Sequence, residues 1–121
     1  HDFSSFRASA CQALSPVKDM RHIEIVRSGA GERCRWYFRF EADAFLHHMI
    51  RNIMGCLVRI GQGNESPDWM AQVLAARSRL VAAPTFSAAG LYFLGPQYDS
   101  QWGLPAEVTS GSSWDSYDGL P

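Results

Sequence analysis

A chain of 121 residues, 46% of them hydrophobic and 19% charged, has the length and composition of one globular domain with a hydrophobic core. No apolar run reaches the roughly 18 residues that a membrane-spanning helix needs, and the first residues lack the apolar stretch of a signal peptide. The cysteines, Cys11, Cys34 and Cys56, are odd in number and widely spaced. This argues against a disulfide framework and a zinc site, and it indicates a reducing compartment, which we take to be the cytoplasm.

The formal net charge of −1 hides an uneven distribution. All 11 Lys and Arg lie in residues 1–79, together with the four His and eight of the 12 acids. Ten of the 11 bases are arginine, whose planar guanidinium suits phosphate groups and stacks on flat rings. An ordinary solvated surface explains the same distribution, because the excess of positive charge is small.

The first half of the chain predicts a lead-in and a β-hairpin. Residues 1–16 predict a short helical or irregular segment, and residues 20–28 (MRHIEIVRS) predict a strand. The segment Gly29-Ala30-Gly31-Glu32 predicts a turn, since glycine tolerates positive φ. Residues 33–41 alternate strictly, which predicts a half-buried strand that completes an antiparallel hairpin. The apolar side is Cys34, Trp36, Phe38 and Phe40, and the polar side is Arg33, Arg35, Tyr37, Arg39 and Glu41.

The spacing then changes to that of a helix. Residues 44–60 predict an amphipathic helix that Asp43 caps and Gly61-Gln62-Gly63-Asn64 ends. Its buried face comprises Phe45, Leu46, Met49, Ile50, Ile53, Met54, Leu57 and Ile60. A second helix is predicted from Ser66-Pro67-Asp68 to about Arg79, because Ser, Pro and an acid are typical of a helix start.

The remaining residues predict a loop at 84–89, a third strand at 90–94 and a polar, weakly ordered tail at 106–121. The order strand, strand, helix, helix, strand indicates an α+β fold, with an antiparallel sheet covered by helices on one face.

The polar side of the first predicted helix is the main candidate site. Arg51 follows His47 by four residues and His48 by three, so the three side chains share about one helical turn. Gly55 follows Arg51 by four and is expected to open space beside the guanidinium. A solvated helix face explains this pattern too, but the face lacks the Glu and Lys common on such surfaces. A half-buried arginine beside a small residue favours a site for an anion, either carboxylate or phosphate.

Two aromatic and basic groups are weaker candidates for RNA contact. Phe3, Phe6 and Arg7 have the residue types that stack on bases and bind phosphate, although two such aromatics also suit a core. Arg35, Tyr37 and Arg39 form a strand face that suits an RNA backbone, and pairing with Glu24 across the hairpin explains it equally well.

Other polar residues have simpler interpretations. Arg77 and Arg79 are favoured as cations at a helix carboxyl end. A metal site at His47 and His48 is not expected, because adjacent helical positions diverge by about 100° and no third ligand is suitably spaced. The cysteines suit core positions.

Six blocks of sequence occur in a characteristic order: HDFSSFRA, CQ, AFLHHMIRNIMG, SPDWMAQVLAARSR, APT and AAGLYF. Over residues 1–105 they resemble the carboxy-terminal half of the tRNA pseudouridine synthase A family, and FLHHMIRN with GLYF downstream is the most specific part. The resemblance implies an isomerase that converts uridine to pseudouridine in the anticodon stem-loop of tRNA without metal or cofactor. It also implies two α+β domains flanking a basic cleft, and a homodimer.

The resemblance also implies roles for individual residues. Arg51, in HHMIRN, matches the arginine that pairs with the catalytic aspartate, where a guanidinium keeps a nucleophilic carboxylate ionised and oriented. Leu91, in GLYF, matches an apolar residue lining the uracil pocket, since an unstacked base needs an apolar surface. RNA contact is implied for Arg7, His47, His48 and Arg79.

The catalytic aspartate of this family lies in an Arg-Thr-Asp motif of the amino-terminal half, and the 121 residues contain no such motif. The chain also begins at His1 rather than Met. We therefore expect a fragment, with a carboxy-terminal domain at 1–105 and a tail at 106–121, that is inactive alone. Two other hypotheses remain open: a stand-alone RNA-binding module without catalytic activity, and a dimerisation domain.

Overall fold

The computed structural model describes residues 1–105 and shows two strands and two α-helices in that part of the chain. They are β1 (Met20–Ser28), β2 (Arg35–Ala42), α1 (Met49–Gly61) and α2 (Asp68–Ala76). Short 3-10 turns lie at Ser4–Phe6, Gly31–Arg33, Arg79–Val81 and Ser100–Trp102. The chain divides into two compact units, His1–Ala88 and Ala89–Pro121. The predicted α+β class is confirmed, and the predicted tail at 106–121 lies outside the described residues.

The antiparallel hairpin of β1 and β2 is confirmed, with Ile23 opposite Phe40 and Ile25 opposite Phe38. The glycine-rich turn is confirmed as well. Gly29 has φ +82°, and a Cβ there would overlap the carbonyl oxygen of Arg33. Only glycine combines this left-handed conformation with so close a backbone approach.

The predicted half-burial of β2 is confirmed at Phe38 and Phe40 and is wrong at Trp36, which is 58% exposed. Phe40, near the base of the hairpin, packs against the core, whereas Ile23, opposite it in β1, is 51% exposed. The sheet of residues 1–105 has two strands, which is too few to bury the apolar face of an entire hairpin. The predicted third strand is also wrong, because residues 90–94 form no ladder and Leu91 and Phe93 are exposed.

Helix α1 begins five residues later than predicted, at Met49 instead of residue 44. His48 adopts a left-handed conformation (φ 58°, ψ 11°). A right-handed helix cannot continue through a residue in this conformation, so α1 begins after it. The predicted cap at Asp43 is therefore wrong. Its Oδ1 instead accepts hydrogen bonds from the backbone N–H groups of Asp19 (2.8 Å) and Ala44 (2.9 Å). The end of α1 at Gly61 agrees with the prediction.

Helix α2 starts where predicted, although Ser66 accepts the Trp69 N–H through its backbone carbonyl rather than its side chain. It ends at Ala76, earlier than expected, because Arg77 adopts a left-handed conformation with φ 50°. Arg77 then forms an ion pair with Asp2 (3.7 Å). Neither α1 nor any other helix of residues 1–105 is long and apolar enough to cross a membrane.

The core of the first unit lies where the lead-in, α1 and α2 meet. Its buried apolar residues are Phe3, Phe6, Leu46, Met49, Ile53, Cys56, Val73 and Ala83. Two polar residues, Ser5 and Asn52, are also fully buried. The core interpretation of Phe3 and Phe6 is thus confirmed, and the side of α1 that was predicted to be polar is buried at Asn52 and Gly55.

Candidate active site

Arg51 lies in the first turn of α1 and its side chain is half-buried. Its Nε donates a hydrogen bond to the carbonyl oxygen of Phe86 (2.8 Å), and the Phe86 N–H donates to the Arg51 carbonyl oxygen (3.1 Å). Within residues 1–105 the terminal nitrogens, Nη1 and Nη2, have neither a hydrogen-bond acceptor nor an ion pair. One edge of the guanidinium is anchored, and the two terminal donors are left for an anion.

The irregular segment 83–86 that carries this carbonyl crosses α1 at Gly55. A Cβ on Gly55 would overlap the Pro84 carbonyl oxygen and would lie 3.6 Å from the Cβ of Ala83. The expectation that Gly55 opens space beside Arg51 is therefore wrong, because the backbone of segment 83–86 fills that space. Glycine is required here so that the segment can approach close enough to reach Arg51.

Asn52 is fully buried, and its side-chain amide joins three parts of the chain. Nδ2 donates to the carbonyl oxygen of Phe6 (2.8 Å). Oδ1 accepts from Thr85 Oγ1 (2.7 Å) and from Arg79 Nη2 (3.1 Å). A buried amide is stable only when its polar atoms are paired, and these bonds tie the lead-in and segment 83–86 to α1.

Arg79 extends this network rather than ending a helix. Its Nη1 donates to the carbonyl oxygen of Ala83 (2.9 Å), and its Nη2 also donates to Thr85 Oγ1 (3.2 Å). The favoured interpretation of Arg79 as a cation at the carboxyl end of α2 is wrong, because α2 has already ended at Ala76. Both the Arg79 guanidinium and the Asn52 amide therefore hold segment 83–86 in place.

His47 and His48 precede α1, and their imidazole rings stack with centroids 3.9 Å apart and an angle of 26° between them. The premise that these side chains diverge on a helix is therefore wrong. Burial, His47 and the charge of Arg51 lower the pKa of His48 from its ordinary 6.5, in that order of importance. His48 is thus neutral near pH 7. Among residues 1–105, no group of three or more His, Cys, Asp or Glu side chains could hold a metal ion.

A concavity of about 500 Å³ lies beside this network. It is lined by Ala8, Ser9, His48, Asn52, Arg79, Leu80, Ala82, Pro84 and Thr85. A second, of about 330 Å³, lies on the other side of segment 83–86, between Pro84 and Arg59. Arg51 lines neither cavity, although its neighbours His48 and Asn52 line the larger one.

The remaining candidate residues are Arg7, Leu91 and the strand residue Arg39. Arg7 donates through Nη2 to the carbonyl oxygens of Ala13 (2.6 Å) and Cys11 (3.2 Å). Leu91 belongs to the second unit, where it lies outside any helix or strand with its side chain about half exposed. Arg39 stands opposite Glu24 in the hairpin and forms an ion pair with Glu41 (3.8 Å).

Asn52 and Thr85 were not recognised as site residues from the sequence. One signal was available: an asparagine at helical spacing among Met49, Ile53 and Cys56 is a polar residue close to a core face, and a buried amide needs partners. Thr85 lies in the APT block of the family resemblance, but no sequence pattern predicts its bond to Asn52, which spans 33 positions.

Comparison with protein families identifies the class to which this chain belongs. Residues 1–99 match the family model for tRNA pseudouridine synthase, and the chain belongs to that family. The tRNA pseudouridine synthase A of Variovorax paradoxus (strain S110) is 74% identical over 121 residues, which are all of this chain and 45% of the relative.

Two further relatives carry the same name. That of Albidiferax ferrireducens is 69% identical over 105 residues, covering 87% of this chain and 39% of the relative. That of Polaromonas naphthalenivorans is 62% identical over 122 residues, covering 100% of this chain and 44% of the relative. The chain spans less than half the length of these relatives.

Proposed function

We propose that this chain is the carboxy-terminal part of a tRNA pseudouridine synthase, which isomerises uridine to pseudouridine in the anticodon stem-loop of tRNA. The observation that carries the proposal is the set of hydrogen bonds made by the Arg51 guanidinium, which leaves its two terminal nitrogens without an acceptor among residues 1–105. The residue is half-buried, and its guanidinium is held through Nε. Membership of the synthase family supports the same reading.

In the proposed mechanism, Arg51 binds a catalytic carboxylate that residues outside this chain supply. A guanidinium stabilises the ionised form of a carboxylate and fixes its orientation through parallel hydrogen bonds. Both effects favour attack by that carboxylate while the glycosidic bond is broken and the base is rejoined to the ribose through carbon.

We assign tRNA contact to Arg7, His47, His48 and Arg79, and contact with the uracil ring to Leu91. The exposure of Leu91 and His47 is compatible with these roles. His48 is neutral near pH 7 because its pKa is lowered, so its proposed contact is stacking or a hydrogen bond rather than an ion pair with phosphate. We also propose that the whole protein acts in the cytoplasm as a homodimer.

A chimera tests the proposal. These 121 residues replace the matching segment of the Variovorax paradoxus relative, which is 74% identical to them. Isomerisation exchanges the hydrogen at uracil C5 for the bond to ribose, so tritium release from tRNA labelled at C5 measures the reaction. We expect release by the chimera at a rate close to that of the unmodified relative, and none by the 121-residue chain alone.

An inactive, folded chimera would contradict the proposed function. The alternative, an RNA-binding module without activity, predicts that the isolated chain binds anticodon stem-loops tightly with a strong salt dependence, and that the chimera releases no tritium.

A further inference from the structure

We propose that Thr85 is a positioning residue for Arg51. Its hydroxyl, held by the buried Asn52 amide, fixes the Phe86 carbonyl that orients the guanidinium. The inference rests on the proposed function, because it describes how the same arginine is aimed at the carboxylate that it binds.

The first step is the contact between Arg51 and Phe86. An unrestrained arginine samples many rotamers, and each rotamer aims the guanidinium in a different direction. The bond from Nε to the Phe86 carbonyl (2.8 Å) selects rotamers that hold this edge against segment 83–86. The outer edge, with Nη1 and Nη2, then binds a carboxylate end-on through two parallel hydrogen bonds.

The second step is the anchoring of that carbonyl. Phe86 is itself exposed, and its two backbone bonds connect it to Arg51 alone. The bond from the Phe86 N–H ties this residue to the α1 backbone at a single point. The adjacent residue supplies a second tie, because Thr85 Oγ1 donates to Oδ1 of the fully buried Asn52 at 2.7 Å.

The third step is the rigidity of Asn52. Its Nδ2 donates to the Phe6 carbonyl, so the amide plane cannot turn without breaking a buried hydrogen bond. Arg79 Nη2 reaches the same Oδ1 at 3.1 Å, and Arg79 Nη1 holds the Ala83 carbonyl at 2.9 Å. The segment is therefore tied down at Ala83 and at Thr85, directly before Phe86.

Loss of the Thr85 hydroxyl is expected to affect orientation more than folding. Thr85 is exposed, and Asn52 Oδ1 keeps its hydrogen bond from Arg79 when the hydroxyl is removed. Thr85→Val retains the shape of the side chain and removes the hydroxyl, which donates to Asn52 Oδ1 and accepts from Arg79 Nη2. Thr85→Ser retains the donor and removes a methyl group.

The test uses the active chimera described above. We expect Thr85→Val to lower kcat roughly 10-fold or more, with KM for tRNA changed less than about twofold, because misplacing a catalytic group slows the chemical step. Thr85→Ser should restore kcat to near the original value. Ser5→Ala is the control: it removes a hydroxyl that is fully buried and bonded to the Val73 carbonyl (2.6 Å), and it should lower the melting temperature while leaving kcat nearly unchanged.

A double-mutant cycle separates positioning from structure. In an Arg51→Ala chimera, Thr85→Val should lower single-turnover rates no further, since there is no guanidinium left to aim. Three results would overturn the inference while leaving the proposed function intact. In the first, Thr85→Val leaves kcat unchanged, and in the second, Ser5→Ala lowers kcat as much as Thr85→Val does. In the third, Thr85→Val slows the Arg51→Ala chimera by the same factor as the parent chimera. An inactive parent chimera would instead overturn both.

Discussion

Asn52 joins the lead-in, α1 and segment 83–86 through a single buried amide. Burying a side-chain amide costs more free energy than one neutral hydrogen bond regains. A buried asparagine is therefore stable only when several of its polar atoms are hydrogen-bonded. No buried side-chain nitrogen or oxygen of residues 1–105 lacks a hydrogen-bond partner. The network therefore specifies one arrangement of the three parts, whereas an apolar residue at position 52 would not.

His48 combines a strained backbone with a perturbed imidazole. Its left-handed conformation is uncommon for a residue with a Cβ, and the hydrogen bond from the Asn52 N–H to its carbonyl oxygen (2.9 Å) helps to hold it. Burial is the largest cause of its lowered pKa. The unfolded chain therefore binds a proton at this site at a higher pH than the folded chain does.

This difference predicts a pH dependence of stability. The neutral form of His48 stabilises the fold fully above pH 6.5, and that contribution is lost as the pH falls from 6.5 through the lowered pKa of the folded state. His48→Asn, a replacement that tolerates a left-handed backbone, should make the free energy of unfolding fall less steeply below pH 6.5. Urea unfolding of both proteins across this pH range measures it, and parallel curves would refute the assignment.

At the scale of elements, segment 83–86 packs against α1 at Gly55, and this close packing requires a residue without a Cβ. A Cβ at this position would overlap backbone atoms of Pro84, which cannot rotate away as a side chain can. Replacing Gly55 by alanine raises the helix propensity of α1, but displacing the Pro84 backbone costs more free energy than this gain.

Gly55→Ala is therefore expected to destabilise the fold by about 1–3 kcal/mol, the usual cost of overpacking. Gly61→Ala is the matched control in the same helix, because a Cβ there meets nothing within 4 Å. It should be neutral or should stabilise the fold by up to about 1 kcal/mol. Chemical unfolding of the two variants compares them directly, and equal stability of both would contradict the close approach described for Pro84.

The elements that sequence reasoning predicted well are those with local causes. The hairpin follows from strict alternation and the turn at Gly29, and the start of α2 follows from Ser66-Pro67-Asp68. The start of α1 was missed because apolar spacing continues through residues 44–48. There the backbone instead bonds to the lead-in, with the Ala8 N–H donating to the His47 carbonyl (3.2 Å), and no local pattern encodes such a contact.

The candidate site was predictable to the same extent. Arg51 was identified from its spacing, its neighbours and the family resemblance, all of which are properties of a short stretch of sequence. Its anchor on Phe86 and the bond between Thr85 and Asn52 connect positions 35 and 33 residues apart. These contacts depend on how α1 packs against segment 83–86, so sequence patterns could not supply them.

At the scale of the whole molecule, the chain holds half of a proposed active site. It spans 45% of the length of its Variovorax paradoxus relative. The proposed division of labour is simple: this chain supplies a rigidly held cation, and the rest of the enzyme supplies the carboxylate that the cation activates. The exposed apolar side chains Ile23 and Trp36 show that the hairpin, too, has surface that its own two strands do not cover.

The pH–rate profile of the chimera with and without the guanidinium tests this division most directly. If Arg51 keeps a carboxylate ionised, Arg51→Ala should lower kcat/KM by about 100-fold or more and shift the acid limb of its profile upward by about one pH unit or more. tRNA binding should change little. An Arg51→Ala chimera with normal activity, or one that is slow with its acid limb unmoved, would contradict the account.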